Sequence, residues 1–391
     1  MLLLQRKDRM RNKSLDGLRG LAALNVTLGH FVSAFIPALL YKNYPMAYTN
    51  GENEGTAFSI LTSPFVSLAF NGHFAVVIFF VLSGFVLTSP YFIGAGDDVL
   101  KKRFFGRYVR LNLPIAASIL LSFLICKLGL YYNVEAAALS GSKMFIGDYF
   151  THDITLSTLF GSASYQSVML GDKIYNHPLW TLRFEFIGSL LLLAFYICKP
   201  QKWTSALSFL ACAVLYVFMK MESIYFIALF AGALLNQVKI ASKWTPGLLV
   251  AGLYLGGFQF MSPLYDFWPS INTGNIEVWD KITFYNLIGA LCLVAAVANG
   301  CGQKILESRV CQFLGEISFP IYLLHFLIIC SLSSALYINL PQSAPYLIAN
   351  LGVYLAVCCG LGKLFAVWVD QPAIRLSHKA ATFLFKEKQA S

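Results

Sequence analysis

The chain has 391 residues, of which 57% are hydrophobic and 12% charged, with 33 Phe. That balance excludes an ordinary soluble domain and points to a polytopic membrane protein. The 29 Lys and Arg against 19 Asp and Glu give a net charge of +10, an excess that suits loops facing anionic lipid and does not call for nucleic acid.

The start, "MLLLQRKDRMRNK", is basic and precedes an apolar segment without a small-residue cleavage site, so it reads as a retained signal anchor. A membrane helix needs about 20 mostly apolar residues. Windows of that kind fall at 17–40, 66–92, 111–132, 179–198, 204–219, 223–238, 247–262, 282–300, 312–337 and 345–369. The expected architecture is therefore an all-α bundle of about ten transmembrane helices. Placing the N-terminus in the cytoplasm assigns 20 of the 29 Lys and Arg to inside segments and 6 to outside ones, with Arg19, Arg183 and Lys363 inside spans. This asymmetry predicts that both termini are cytoplasmic. The domain plan is a basic cytoplasmic segment 1–13, a transmembrane domain 14–375 and a basic cytoplasmic tail 376–391.

The first span, "SLDGLRGLAALNVTLGHF", carries Asp16, Arg19 and His30. Arg19 and His30 are eleven residues apart, which on a helix leaves an angular offset of about 20° and a rise of about 16 Å. Asp16 lies on the same stripe, three residues before Arg19, where it can pair with the guanidinium. An ionisable group at membrane depth costs about 2.5 kcal/mol or more, so the stripe should face a polar cavity or a partner, and a functional role is the default reading. The imidazole of His30 suits general-base work near neutral pH.

In "KKRFFGRYVRLNLP", Arg103, Arg107 and Arg110 stand at i, i+4 and i+7 and fall within about 60° of one another on a helix. Such a stripe can hold anionic lipid, or the several phosphates of a ligand such as coenzyme A through bidentate forks. The loop 133–178 is long and weakly periodic and is expected to form a cap or re-entrant piece over the bundle.

"NHPLWTLRFEF" opens the fourth span with His177, Trp180, Arg183 and Glu185. Arg183 and Glu185 are two residues apart and do not meet on a helix face, so each needs a partner on another helix. Glu185 reads as an orienting group in preference to a direct acid or base. In a later outside loop, Tyr265, Trp268 and Trp279 suit interfacial anchors, or alternatively a sugar-stacking platform. "LGEISFPIYLLHF" sets Glu316, Tyr322 and His325 at the start of the ninth span, with Pro320 in its first turns where a missing donor costs least. His325 reads as a packing or supporting group, and His73, His152 and His378 carry no pattern.

The nine cysteines fall mostly in apolar runs without C-x-x-C pairs, so they are expected to be small buried hydrophobes, with no metal site. There is no G-x-S-x-G, G-x-G-x-x-G, Walker A or H-x-x-x-x-D sequence, which removes support for hydrolase, dinucleotide, ATPase and soluble acyltransferase readings. A transporter or flippase also fits ten spans with a buried Arg/His stripe, but no inverted repeat supports it.

In order, "LDGLRGLAALNVTLGHF", "FFVLSGFVLT", "RFFGRYVRLNLP", "LWTLRFEF" and "LGEISFPIYLLH" resemble the membrane acyltransferase 3 family over about residues 14–375. The resemblance implies multi-pass enzymes that O-acylate glycans and related acceptors, usually from acetyl-CoA. It carries the family's Arg and His of the first span onto Arg19 and His30, its arginines after "LSGF" onto Arg103, Arg107 and Arg110, and its tryptophan-to-glutamate motif onto Trp180 and Glu185. The family's acidic residue and proline near the C-terminus appear as Asp370 and Pro372. The implied reaction is acetyl transfer from acetyl-CoA to a hydroxyl of a cell-surface or lipid-linked glycan, with a lipid, peptidoglycan or small-molecule acceptor as the alternative. His30 would act as base or transient acyl carrier and Arg19 as a catalytic partner that steers the donor or stabilises the thioester oxyanion, in what is expected to be a bacterial inner membrane.

Overall fold

A computed structural model describes residues 12–44, 56–95, 97–151, 154–198, 222–265 and 278–390, together with 207, 208, 210 and 214. Residues 1–11, most of the expected fifth span, His152 and Trp268 lie outside the described residues. Among the described residues every regular element is helical.

The principal helices are α1 (Lys13–Phe35), α2 (Gly72–Phe92), α3 (Asp97–Lys127), α4 (Trp180–Ile197), α5 (Ser223–Leu234), α6 (Thr245–Gly256), α7 (Val278–Ala298), α8 (Arg309–Glu316), α9 (Ser318–Ile328), α10 (Ala344–Phe365) and α11 (Gln371–Ala390). Among the described residues, six helical stretches are long and apolar enough to cross a membrane: Gly72–Phe92, Asp98–Lys127, His177–Ile197, Lys281–Ala298, Ser318–Asn339 and Ala344–Phe383. The chain is thus a multi-pass membrane protein by length and composition of its helices. Helix α1 has 23 residues but its polar stripe keeps it out of that set, and Ser223–Gln237 is apolar but shorter.

Local chemistry sets the helix ends that matter for the site. Asn12 caps α1 by accepting a hydrogen bond from the Leu15 amide at 3.2 Å, and Pro37 follows soon after its last turn. The expected ninth span is broken at Ile317 into α8 and α9. Backbone runs directly against backbone where α1 meets α8: a Cβ added to Gly20 would lie 2.4 Å from the Gly315 nitrogen. Small residues at such crossings replace the hydrophobic drive that lipid does not supply. A π-helical turn, Ala366–Asp370, joins α10 to α11 and shifts the facing of Asp370.

The main core joins α1 to α5, α7 and α9 through buried Leu15, Phe74, Ile115, Leu192, Leu229, Val294 and Leu323. A second cluster, built on Phe31, Phe35, Phe326, Ile329 and Tyr354, is closed by Ala136, Ala137 and Ile146 of the 133–178 segment. That segment holds the short helices Asn133–Ser140 and Leu156–Gly161 and a π-helical stretch, Ser162–Leu170, packed on α3 and α4.

Candidate functional site

Helix α1 and helix α9 bring His30 and His325 together, with His30 Nδ1 and His325 Nε2 2.7 Å apart and ring centroids at 4.9 Å. Nδ1 of His325 lies 2.9 Å from the Ile321 carbonyl. A carbonyl only accepts, so Nδ1 of His325 carries a hydrogen. With both rings neutral, His325 Nε2 must then accept from His30 Nδ1–H, and the free lone pair falls on Nε2 of His30. The chain of bonds from carbonyl to His325 to His30 therefore selects one tautomer, as an orienting group does for a catalytic base.

Two further side chains complete the pocket around His30. The His177 ring is 6.0 Å from His30 and edge-on to it, and Phe145 is at 5.2 Å. Tyr149 hydrogen-bonds Nδ1 of His177. Burial pushes the Tyr149 phenol above its ordinary range, so it keeps its proton and can donate to Nδ1, leaving Nε2–H of His177 as a donor. Asn176 fixes this turn to α9, its Nδ2 donating to the Leu323 carbonyl at 2.7 Å.

A cavity of about 1200 Å³ runs along the first two turns of α1, from Asn12 to Arg19, and reaches Tyr322 of α9. Asp16, Arg19, Arg107, Arg110 and Glu185 line it, and Thr181 and Tyr322 lie among its walls. Tyr322 donates to the Pro178 carbonyl at 3.0 Å, contacts Thr181, and has its ring 5.9 Å from His325. One side chain thus links the cavity to the histidine pair.

Three ion pairs line the cavity. Arg19 meets Asp16 at 3.1 Å, as their spacing requires. Arg107 pairs with Glu185, which also accepts from Ser83 at 2.5 Å, while Nε of Arg107 donates to Ser189 at 2.7 Å. Arg110 meets Asp370 at 2.5 Å, the residue presented by the π-helical turn. Arg183, as expected, leaves Glu185 alone and pairs with Glu222 at 2.8 Å.

The arginine stripe divides in its contacts. Arg107 and Arg110 line the cavity, whereas Arg103 donates to the carbonyls of Val86 at 2.7 Å and Leu87 at 2.9 Å. Pro90 explains this, since it has no N–H to give the carbonyl four residues earlier, and Arg103 supplies the missing donor. Trp180 turns away from the cavity, its ring 5.6 Å from Tyr225 and 6.0 Å from Phe184. The sequence reading passed over His177 and Tyr149 as a pair and understated His325. No local pattern marks contacts between such distant segments, although each is a polar ring in or beside an apolar run.

Residues 12–363 match the acyltransferase 3 model, described as an acyltransferase domain. Among relatives, the acyltransferase clz18 of Cochliobolus lunatus is 22% identical, over 83% of this chain and 84% of its own length. The acyltransferase MdmB of Streptomyces mycarofaciens is 25% identical, over 94% of this chain and 92% of its own. No solved structure matches. With the match covering nearly the whole chain, the protein belongs to the acyltransferase 3 family.

Proposed function

We propose that this protein transfers an acyl group, acetyl from acetyl-CoA, to a hydroxyl of a cell-surface or lipid-linked glycan, with His30 as the reacting imidazole. The observation that carries the reading is the His30 and His325 pair, 2.7 Å apart, joined through Tyr322 to a cavity lined by Arg19, Arg107 and Arg110.

In this reading acyl-CoA enters from the cytoplasm, both chain termini lie on that side, and its phosphates meet Arg19, Arg107 and Arg110, with Arg103 bracing α2 behind them. Phosphate oxygens compete with Asp16 and Asp370 for the guanidinium forks. Helix α1 is continuous from Lys13 to Phe35, so Arg19 stands about 16 Å of rise from His30. Arg19 therefore steers the donor's phosphates and is too distant to serve the thioester carbonyl.

At the pair, Nε2 of His30 removes the proton of the acceptor hydroxyl as its oxygen attacks the thioester carbon. The C–O bond forms, the C–S bond breaks, and the proton passes from His30 to the departing thiolate. In the second route Nε2 of His30 attacks the thioester carbon, the C–S bond breaks and CoA departs as thiolate; the acceptor oxygen then takes the acyl group from the acyl-imidazole, breaking the C–N bond, and its proton goes to the thiolate. In both, Nε2–H of His177 is the donor best placed to meet the developing oxyanion, and Glu185 orients Arg107.

The test is His30→Ala in membranes holding normal amounts of protein, with acyl-CoA consumption and acceptor acylation followed by mass spectrometry. Loss of both is expected. Unchanged acylation would sink the assignment, and a wild-type protein that neither binds nor hydrolyses acyl-CoA would favour transport.

A further inference from the structure

The walls of the arginine-lined cavity hold one cation whose charge the described residues do not cancel. Arg19, Arg107 and Arg110 are met by Asp16, Glu185 and Asp370. The remaining carboxylate in the lining, Glu316, accepts from Lys363 Nζ at 2.7 Å and from Gln371 Nε2 at 3.3 Å. Arg309 also lines the cavity, and among the described residues no carboxylate meets its guanidinium.

Arg309 is the first residue of α8, and side-chain contacts fix where that helix starts. Nε2 of Gln312, one turn on, donates to the Lys13 carbonyl at 2.8 Å, and Ser14 Oγ donates to Glu307 Oε1 at 2.8 Å. Both bonds tie the start of α8 to the first turn of α1. Arg309 and Gln312, three apart on one helix face, thus belong to the Asn12 end of the cavity. Asn12 is about 27 Å of helix rise from His30, whereas the Tyr322 ring at the other end is 5.9 Å from His325. Arg309 is exposed and Arg107 mostly buried, as a mouth and an interior would be.

In the proposed reaction the thioester goes to His30, so the far end of the donor lies toward Asn12. That end of an acyl-CoA carries a ribose phosphate monoester, a near-dianion at neutral pH, while each phosphoryl group of the pyrophosphate bears a single charge. Arg19 and Arg110 take phosphate oxygens only in competition with Asp16 and Asp370. Arg309 displaces no carboxylate, and its planar fork matches phosphate oxygens bidentately. The donor's most highly charged group and the uncompensated guanidinium therefore fall at the same end.

We propose that Arg309 is a donor-specificity residue that binds the ribose phosphate monoester of acyl-CoA. The proposal rests on the acyl-transfer reading and adds to it the contact by which the protein tells coenzyme A from its dephospho form.

The experiment uses full-length protein in phosphatidylcholine nanodiscs and measures the Kd of CoA and of dephospho-CoA, a comparison that needs no acceptor. Wild type should bind CoA about tenfold more tightly, a difference of about 1.4 kcal/mol. Arg309→Gln should bring the two values together by weakening CoA alone, and Arg309→Lys should restore part of the gap. Arg110→Ala should weaken both ligands and keep their ratio. The assignment is overturned by an Arg309→Gln protein that keeps the wild-type ratio or weakens both ligands equally, and by a wild type that binds both alike. Anionic lipid is the other source of phosphate, and nanodiscs containing phosphatidylglycerol test it by mass spectrometry of retained lipid. Loss of phosphatidylglycerol from Arg309→Gln with the CoA ratio unchanged gives the guanidinium to a headgroup and overturns the proposal. A wild type that binds neither CoA nor dephospho-CoA overturns the acyl-transfer reading itself.

Discussion

Nδ1 of His30 and Nε2 of His325 face each other at 2.7 Å, and the Ile321 carbonyl behind them decides which nitrogen carries the hydrogen. His325→Leu leaves the His30 ring in place but removes its tautomer control. Acyl transfer should fall by about 10²–10⁴-fold, the range of general acid–base contributions, with little change in the KM for acyl-CoA. A KM rise with kcat intact would instead assign His325 to donor binding. His325→Gln, which can still accept from Nδ1–H, should retain more activity than the leucine variant.

Arg107 and Glu185 are mostly buried, with side-chain exposures of 12% and 17%. Arg107→Met leaves the carboxylate without its main partner and should destabilise the protein by about 3–5 kcal/mol. The double variant Arg107→Met with Glu185→Met removes both charges, and its Tm in detergent should return most of the way to wild type. Its requirement for acyl-CoA should stay raised. If stability and donor requirement recover together, the arginine is structural only.

Arg103 and Arg110 sit on one stripe yet should behave differently. Arg110→Ala is expected to raise the acyl-CoA KM by about tenfold, corresponding to one lost charge-assisted contact of about 1.4 kcal/mol. Arg103→Ala uncovers the Val86 and Leu87 carbonyls and should cost about 1–3 kcal/mol of stability, read as a lower Tm. A larger KM effect from Arg103 than from Arg110 would contradict the division.

At the α1 and α8 crossing, Gly20→Val places carbon where only 2.4 Å separates the Cβ position from the Gly315 nitrogen. Helix α1 must move away, carrying Arg19 with it. Overpacking of this kind costs about 1–3 kcal/mol, and the variant should lose both thermal stability and donor affinity. Normal values of both would show that the helices separate freely there.

Local features were legible in the sequence. The Asp16 and Arg19 pair, the separation of Arg183 from Glu185 and the apolar helices all follow from helical period and composition, because each depends on residues a few positions apart. The break at Ile317 was missed although Gly315 and Pro320 flank it in "GEISFP": Pro320 has no N–H for the Glu316 carbonyl, and α8 packs closely across α1 there. The pairing of Arg110 with Asp370, 260 positions apart, was not legible, nor was that of Tyr149 with His177. Tertiary packing alone decides those partners. The length of Ser223–Leu234 and of Thr245–Gly256, 12 residues each, was also hidden, because hydropathy marks apolar character and not where a helix stops.

The two imidazoles at the centre of the site stand 295 positions apart. A nascent chain emerging from the ribosome completes α1 early, but the His30 ring has no fixed tautomer until α9 has been made and has packed beside it. Under the proposed acyl transfer, fragments ending before Ser318 should be silent in any acyl-CoA assay.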